Sequence, residues 1–272
     1  MSAQDAAKRE TAATSEVDAK RSRADQPKPF VSIPDNFDGY ALDSFCIPKH
    51  YEDSLERILL PHGIIMDRVA KMARDIVSDL EYEPLTCLCI LKGGHQFFAD
   101  LVDRIKMLNE SGPLSLPLRI DFIRAKSYED DHSTGKVQII GGDNMESIRG
   151  RNVLIVEDMI DTGNTMVKLL ATLREYEPKT LRVASLFVKR TPLSNGYKPH
   201  CTSDRPSNTY PTRASPLLPL LMSTAFLDTG FEVPNHFVVG YALDYNEYFR
   251  DLPHVAILND TGKEKYKMSS HD

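Results

Sequence analysis

Short apolar runs followed by segments of helical periodicity recur along this chain. Residues 153–156 are apolar and mostly β-branched, which is typical of a parallel strand buried on both faces. Apolar residues then recur at 166, 169, 170 and 173, the spacing of one face of an amphipathic helix. A second apolar run at 87–90 precedes a similar pattern at 97, 98, 101 and 102. These units predict an α/β fold with a central parallel sheet.

Two adjacent carboxylates, Glu157 and Asp158, follow the run at 153–156. In open α/β sheets, ligands bind at the carboxyl ends of the strands. The next turn contains Thr162, Gly163 and Thr165 and leads into a helix N-terminus, which favours a bound anion. Because an acid pair repels bare phosphate, the carboxylates are better suited to sugar hydroxyls or to a metal-bound ligand. The pattern therefore predicts a ribose phosphate site.

The string 153–166 resembles the phosphoribosyl pyrophosphate motif of the type I phosphoribosyltransferases. Its residues are most similar to those of the hypoxanthine-guanine members. An ordinary turn with a capping threonine would not explain the acid pair together with Asp161. Other stretches resemble the same family in order: 91–94 its pyrophosphate loop, 121–128 its mobile lid, and 188–192 and 237–250 its remaining contacts. The resemblance implies a parallel sheet flanked by helices, with a small hood over the active site.

The resemblance also implies the residues of the site. They are Lys92, Gly93, Glu157, Asp158, Met159, Ile160, Asp161, Thr162, Gly163, Asn164, Thr165, Lys189, His236, Phe237, Val238, Asp244 and Arg250, with Ser127 and Tyr128 at the lid tip. Among them, Glu157 and Asp158 hold the ribose hydroxyls, Asp161 is the general base and Asp244 binds Mg²⁺. Asn164 stands where close relatives often carry lysine, which removes one positive charge near the 5-phosphate.

In the family, the lysine that matches Lys189 contacts the 6-oxo group of the purine. The aromatic residue that matches Phe237 stacks on the base, and the backbone of the residue that matches Val238 forms hydrogen bonds with the edge of the base. An ammonium has three donors and no acceptor, so it selects hypoxanthine and guanine over adenine. Each residue also has a simpler interpretation. Phe237 in an apolar run fits a core residue, and Lys189 beside Arg190 fits a solvated surface pair. The stretches 91–94 and 121–135 fit a surface turn and a polar hairpin.

The implied activity is transfer of the 5-phosphoribosyl group from phosphoribosyl pyrophosphate to N9 of hypoxanthine or guanine, yielding IMP or GMP and pyrophosphate. The main alternative is a catalytically impaired isoform or paralogue that binds nucleotide but turns it over poorly. A regulator that binds RNA is a third possibility, opposed by the acidic charge and by the purine-type contacts.

The chain has 272 residues, of which 41% are hydrophobic and 26% charged, and this composition supports one catalytic domain. The net charge of -6 opposes nucleic-acid binding by general electrostatics, and no apolar run is long enough to span a bilayer. The four cysteines lack zinc spacing and are interpreted as reduced packing residues of a cytoplasmic enzyme. Family resemblance implies a homodimer or homotetramer.

Two segments depart from the family pattern. Residues 1–35 are polar and without apolar periodicity, which predicts a disordered tail before a phosphoribosyltransferase domain at 36–272. Residues 200–230 separate two flanks that the family joins through a few residues, and prolines at 206, 211, 216 and 219 exclude a continuous helix. We expect an inserted, disordered loop that leaves the fold intact and weakens purine affinity.

Overall fold

The fold is built from a large sheet, a smaller sheet and helices packed against them. The computed structural model describes residues 30–127, 137–141, 145–194 and 226–268. Within these ranges the strands are β1 (Val31–Ser32), β2 (Leu55–Leu60), β3 (Leu85–Ile90), β4 (Leu118–Ser127), β5 (Val137–Gly141), β6 (Asn152–Ile160), β7 (Thr180–Lys189), β8 (Phe226–Val233), β9 (Val238–Val239) and β10 (Val255–Leu258). The helices are α1 (His62–Asp79), α2 (His95–Ser111), α3 (Asn164–Arg174) and α4 (Asp260–Lys265), with 3-10 helices at Leu42–Ser44, Lys49–Ser54 and Met145–Ile148.

The large sheet has seven strands in the order β1-β8-β7-β6-β3-β4-β5. Neighbouring strands run parallel, except that β5 is antiparallel to β4. All six residues of β3 and the first five of β6 are buried, because helices cover both faces of the sheet. The predicted α/β fold with a central parallel sheet is confirmed.

Residues of β3 alternate between the two faces of the sheet, as the pleat requires. Cys87 and Cys89 pack in the core beneath α1 and α2, whereas Leu88 and Ile90 pack beneath α3. Burial raises the pKa of both thiols to about 12. These two cysteines therefore fill space in the core as neutral thiols, as the sequence predicts.

A smaller sheet in the order β2-β10-β9 corresponds to the hood that the family resemblance implies. Both of its strand pairs are antiparallel. One face covers a core of its own around Tyr51, Phe249 and Leu252. Val238 of β9 and Ile257 of β10 instead join the main core, which attaches the small sheet to the large one.

The start of the globular part lies earlier than expected. We predicted a disordered tail over 1–35, but β1 pairs in parallel with β8, and Ile33 is buried. The Arg190 side chain donates to the Ile33 carbonyl and to the Asp35 carboxylate, the latter at 2.7 Å. A two-residue strand is too short for a periodic signal, so its pairing partners decide its structure. Residues 1–29 lie outside the described ranges.

The inserted segment also ends earlier than expected. Residues 226–230, which we assigned to the insertion, form the first part of β8 and pair with β7 from Arg182↔Phe226 onward. The Asp228 side chain is only 11% exposed there and accepts hydrogen bonds from the Arg182 side chain at 3.1 to 3.3 Å. This part of the assignment is corrected because the strand depends on a partner 46 residues earlier. Residues 195–225 lie outside the described part of the chain.

The predicted lid begins as a strand. Residues 121–127 belong to β4, and Ser127 is paired with Val137 of the antiparallel strand β5. This pairing agrees with the hairpin interpretation of the segment. Tyr128, the other residue of the predicted lid tip, lies outside the described residues, so the lid stays a prediction.

Candidate active site

Strand β6 carries the acid pair beyond the end of its neighbour β3. Glu157 pairs with Ser185 and Ile160 with Val188 of β7, whereas β3 pairs with β6 only as far as Val156. The strand thus extends past the apolar run that predicted it, because β7 continues beside it. The two carboxylates consequently lie at an opening edge of the sheet, where the chain leaving β3 can approach them.

The loop between β3 and α2 packs directly against Asp158. A Cβ atom on Gly93 would lie 1.8 Å from Asp158 Oδ2, and one on Gly94 would lie 2.6 Å from the Ile90 carbonyl oxygen. The preceding Leu91–Lys92 peptide bond is cis. Only a residue without a side chain fits at Gly93 while Asp158 keeps this position. Gly93 and Asp158 belong to two motifs that lie far apart in the sequence, and they therefore contribute to one site.

The acid pair can both donate and accept hydrogen bonds. Burial, followed by the charge of Asp158 and a hydrogen bond with it, holds the pKa of Glu157 well above its usual range. Asp158 Oδ1 accepts the Met159 amide at 2.8 Å. A carboxyl whose pKa is raised in this way favours its neutral form, which can donate a hydrogen bond as well as accept one, and this suits a ligand with several hydroxyl groups.

The turn after β6 presents the N-terminus of α3. Gly163 precedes the helix with a φ of +83°, a left-handed conformation that glycine adopts without strain. The Asn164 amide donates to the Thr162 hydroxyl at 3.4 Å, and the side chains of Asn164 and Thr165 are exposed. Backbone N–H groups of the first helical turn point out of the helix, so this turn is suited to an anion.

A lysine and a carboxylate meet at the ends of β6 and β7. Lys189 Nζ lies 3.7 Å from Asp161 Oδ2. The lysine side chain is 11% exposed and the carboxylate 53% exposed. Ile160 and Val188, the residues directly before Asp161 and Lys189, are paired across β6 and β7. This pairing brings the carboxylate and the lysine close together. The interpretation of Lys189 as a solvated surface residue is therefore wrong, whereas Arg190 does serve a structural contact with residues 33 and 35.

Phe237 is not a core residue. The residue is 43% exposed, and its ring lies nearly perpendicular to that of Tyr245, with 5.4 Å between the ring centroids. Val238, the next residue, is buried in β9 and pairs with Ile257. His236 is partly exposed beside them. An exposed aromatic face on a rigid strand end can receive a planar ligand.

The segment from Tyr241 to Phe249 is strained. Five of its residues have left-handed backbone conformations without being glycine: Tyr241, Ala242, Asn246, Glu247 and Phe249, with φ between 51° and 72°. Such conformations cost about 1–3 kcal/mol each and cluster at functional sites. Hydrogen bonds hold this segment in place, among them Phe249 N to the Tyr51 hydroxyl at 2.9 Å and Asn246 Nδ2 to the Tyr266 carbonyl at 2.8 Å.

This strained segment presents Asp244 and Arg250. Asp244 Oδ1 lies 2.9 Å from Arg250 Nη2, and its Oδ2 accepts the Glu247 amide at 2.8 Å. Among the described residues, no three His, Cys, Asp or Glu side chains are grouped as a metal site. A single carboxylate such as Asp244 is enough to bind Mg²⁺ when substrate oxygens and water supply the remaining ligands of the ion.

Comparison with known proteins agrees with this geometry. A family model described as a phosphoribosyl transferase domain matches residues 57–212. Hypoxanthine-guanine phosphoribosyltransferase of Homo sapiens is 51% identical over 239 residues, which cover 88% of this chain and 97% of that protein. The enzyme of Mus musculus is 49% identical over the same length, with the same coverage.

A solved structure is similar as well. The crystal structure of hypoxanthine-guanine phosphoribosyltransferase from Schistosoma mansoni in complex with IMP superposes with a TM-score of 0.64 at 36% identity, over 87% of this chain and 98% of that one. The chain belongs to the hypoxanthine-guanine phosphoribosyltransferase family. The resemblance read from the motifs is confirmed. In the part of the chain that the structure describes, no helix is long and apolar enough to cross a membrane.

Two residues that hold the site together were not predicted from the sequence motifs. The Glu247 carboxylate contacts both Lys92 and Arg250. The Tyr51 hydroxyl accepts the Phe249 amide and donates to Asp251 Oδ1 at 2.7 Å. Glu247 stood inside a recognised motif without a role of its own. Nothing near Tyr51 in the sequence connects it to a segment almost 200 residues later.

Proposed function

We propose that this chain acts in purine salvage as a hypoxanthine-guanine phosphoribosyltransferase. It transfers the 5-phosphoribosyl group of phosphoribosyl pyrophosphate to N9 of hypoxanthine or guanine and releases pyrophosphate, giving IMP or GMP. The observation that carries the proposal is the 51% identity that extends over 97% of the human protein of that name. No observation on the described residues favours a catalytically impaired relative or an RNA-binding regulator.

The ribose phosphate is assigned to the end of β6 and the turn that follows. Glu157 and Asp158 bind the two ribose hydroxyls, to which the carboxyl oxygens offer acceptors and the Glu157 carboxyl, with its raised pKa, offers a donor when protonated. The string 159–165, from Met159 and Ile160 through Thr162 to Thr165, surrounds the 5-phosphate with amides and hydroxyls. Gly163 allows the backbone to close on the phosphate.

The purine is assigned to the space between Lys189, Asp161 and Phe237. Lys189 donates to the 6-oxo group, while Asp161 accepts the proton that N7 gives up as N9 attacks the ribose. Phe237 supports the ring on one face, with the backbone of Val238 at the base edge and His236 at the rim. An amino group at position 6 would meet the Lys189 ammonium donor to donor, which excludes adenine.

The pyrophosphate is assigned to Lys92, Gly93 and Arg250. The amides of the loop after β3 and two cations bind the leaving group, whose charge grows as the bond to the ribose breaks. Asp244 would hold Mg²⁺, which would neutralise further charge on the pyrophosphate. A lid that includes Ser127 and Tyr128 would exclude water from the oxocarbenium-like centre. We further propose that the enzyme is cytoplasmic and assembles as a homodimer or homotetramer.

One assay tests the proposal directly. The purified chain is incubated with phosphoribosyl pyrophosphate, Mg²⁺ and either hypoxanthine, guanine, xanthine or adenine, and nucleotide formation is followed by absorbance. We expect IMP and GMP from the first two bases and no AMP, because Lys189 offers only donors to position 6. If neither hypoxanthine nor guanine gave a nucleotide product, the proposal would be overturned.

Substitution of Gly93 by alanine should impair the use of phosphoribosyl pyrophosphate. The new Cβ would lie 1.8 Å from Asp158 Oδ2, so either the loop or the carboxylate must move. We expect kcat/KM for phosphoribosyl pyrophosphate to fall by about 10²-fold, the scale of an ångström-sized misplacement. Steady-state kinetics at saturating guanine measures this.

Gly63→Ala is the matched control, since a Cβ at Gly63 would meet no atom within 4 Å. The control should keep the wild-type kcat/KM. Equal kinetics for the two variants would show that the contact between Gly93 and Asp158 is not part of the working site.

A further inference from the structure

A carboxylate lies between the two cations assigned to the pyrophosphate. Glu247 Oε2 is 2.9 Å from Lys92 Nζ and 3.5 Å from Arg250 Nη2. Lys92 lies in the loop after β3, 155 residues earlier in the chain than Glu247. This contact is an ion pair between the pyrophosphate loop and the strained segment that carries Asp244.

Fold stability does not explain a glutamate at this position. The backbone of Glu247 has a φ of +71°, a conformation that glycine or asparagine adopts at lower cost. The ion pair with Lys92 is largely exposed, with 53% and 59% of the two side chains accessible. Exposed pairs contribute little to stability, so this one does not offset the backbone strain.

The Glu247 carboxylate instead balances the charges of the two cations. Lys92 and Arg250 both approach the same oxygen atom, and two like charges at that spacing repel each other. An anion between them offsets this repulsion before any ligand arrives.

We propose that Glu247 is a positioning residue that holds Lys92 and Arg250 at the spacing at which both reach one pyrophosphate group. The inference rests on the proposed function, which assigns those two cations to the pyrophosphate. Glu247 does not contact the reacting atoms. It fixes the pyrophosphate loop against the segment 244–250, so that both walls of the subsite are arranged before the substrate binds.

Glu247→Gln tests this role. The amide keeps the size of the side chain but loses its charge, so the two cations separate. We expect KM for phosphoribosyl pyrophosphate to rise about fivefold, with KM for guanine unchanged and kcat within twofold of wild type. Product inhibition by pyrophosphate should weaken by a similar factor. A structural defect would instead affect both substrates, and thermal unfolding of the variant checks that it is folded.

The matched control is Asp103→Asn, which breaks the pair between Asp103 and Lys106 on α2. That pair has a similar distance, 3.0 Å, and similar exposure, 54% and 69%. Its kinetics should equal those of the wild type. In a Lys92→Gln background, the effect of Glu247→Gln on KM should be smaller than in the wild type, because the carboxylate acts through this lysine.

Two outcomes would overturn the inference. An unchanged KM for phosphoribosyl pyrophosphate would mean that the pair has no role in binding. A lower KM would mean that Glu247 only competes with the pyrophosphate for Lys92. If the wild-type chain formed no product from either base, the proposed function would fail by itself. Calorimetric titration with magnesium pyrophosphate would then still decide whether Glu247→Gln weakens binding.

Discussion

Replacing Asp161 with asparagine is expected to lower kcat for guanine by about 10²- to 10⁴-fold, the usual contribution of a positioned proton acceptor. The carboxylate lies on the turn between β6 and α3, 53% exposed and 3.7 Å from Lys189 Nζ. Asparagine has the same shape but cannot take the proton that leaves N7. KM for phosphoribosyl pyrophosphate should change little, because other residues are assigned to its ribose and phosphates. Steady-state kinetics with each substrate varied in turn measures both effects.

Lys189→Gln provides the comparison for this variant. The lysine is assigned to the 6-oxo group, so its loss should raise KM for guanine more than it lowers kcat. Asp260→Asn removes an exposed carboxylate on α4 that forms an ion pair with Lys263, and it should leave both constants unchanged. A kcat for Asp161→Asn within threefold of wild type would show that purine deprotonation does not depend on this carboxylate.

The inner part of the fold could be predicted because local pattern and tertiary structure agree there. Strand β3 and the first half of β6 are buried on both faces, and continuous apolar runs report that directly. The edges of the sheet gave no such signal. Strand β1 has two residues, and the start of β8 contains a largely buried aspartate, Asp228, whose place depends on Arg182 of β7. Such elements are stabilised by distant partners, which sequence periodicity cannot register.

In the candidate active site, too, contiguous motifs could be predicted and contacts between distant residues could not. The acid pair, the turn and Lys189 could be predicted because each stands in a contiguous motif. The contacts between motifs could not, since they depend on how loops approach one another. Gly93 fits against Asp158 only after two strands are paired, and Glu247 reaches Lys92 only through a left-handed backbone that its residue type does not favour.

Removing the charge of Arg182 is expected to destabilise the protein by about 3–5 kcal/mol, the cost of leaving buried carboxylates without their partner. Arg182 Nη2 lies 2.9 Å from Asp79 Oδ2 and 3.1 Å from Asp228 Oδ2, and the three side chains are 7%, 15% and 11% exposed. Leucine at position 182 would leave two aspartates in an apolar environment. Urea unfolding followed by circular dichroism, with GMP absent, measures the loss.

Two further variants make the interpretation specific. Lys106→Leu removes an exposed cation that pairs with Asp103 and should change stability by less than about 1 kcal/mol. Replacing Arg182, Asp79 and Asp228 together by leucine should recover most of the loss, because a buried ion group is often replaceable by packed apolar side chains. A loss below about 1 kcal/mol for Arg182→Leu would show that the two aspartates do not depend on this guanidinium, and that the ion group does not hold the first part of β8 against β7.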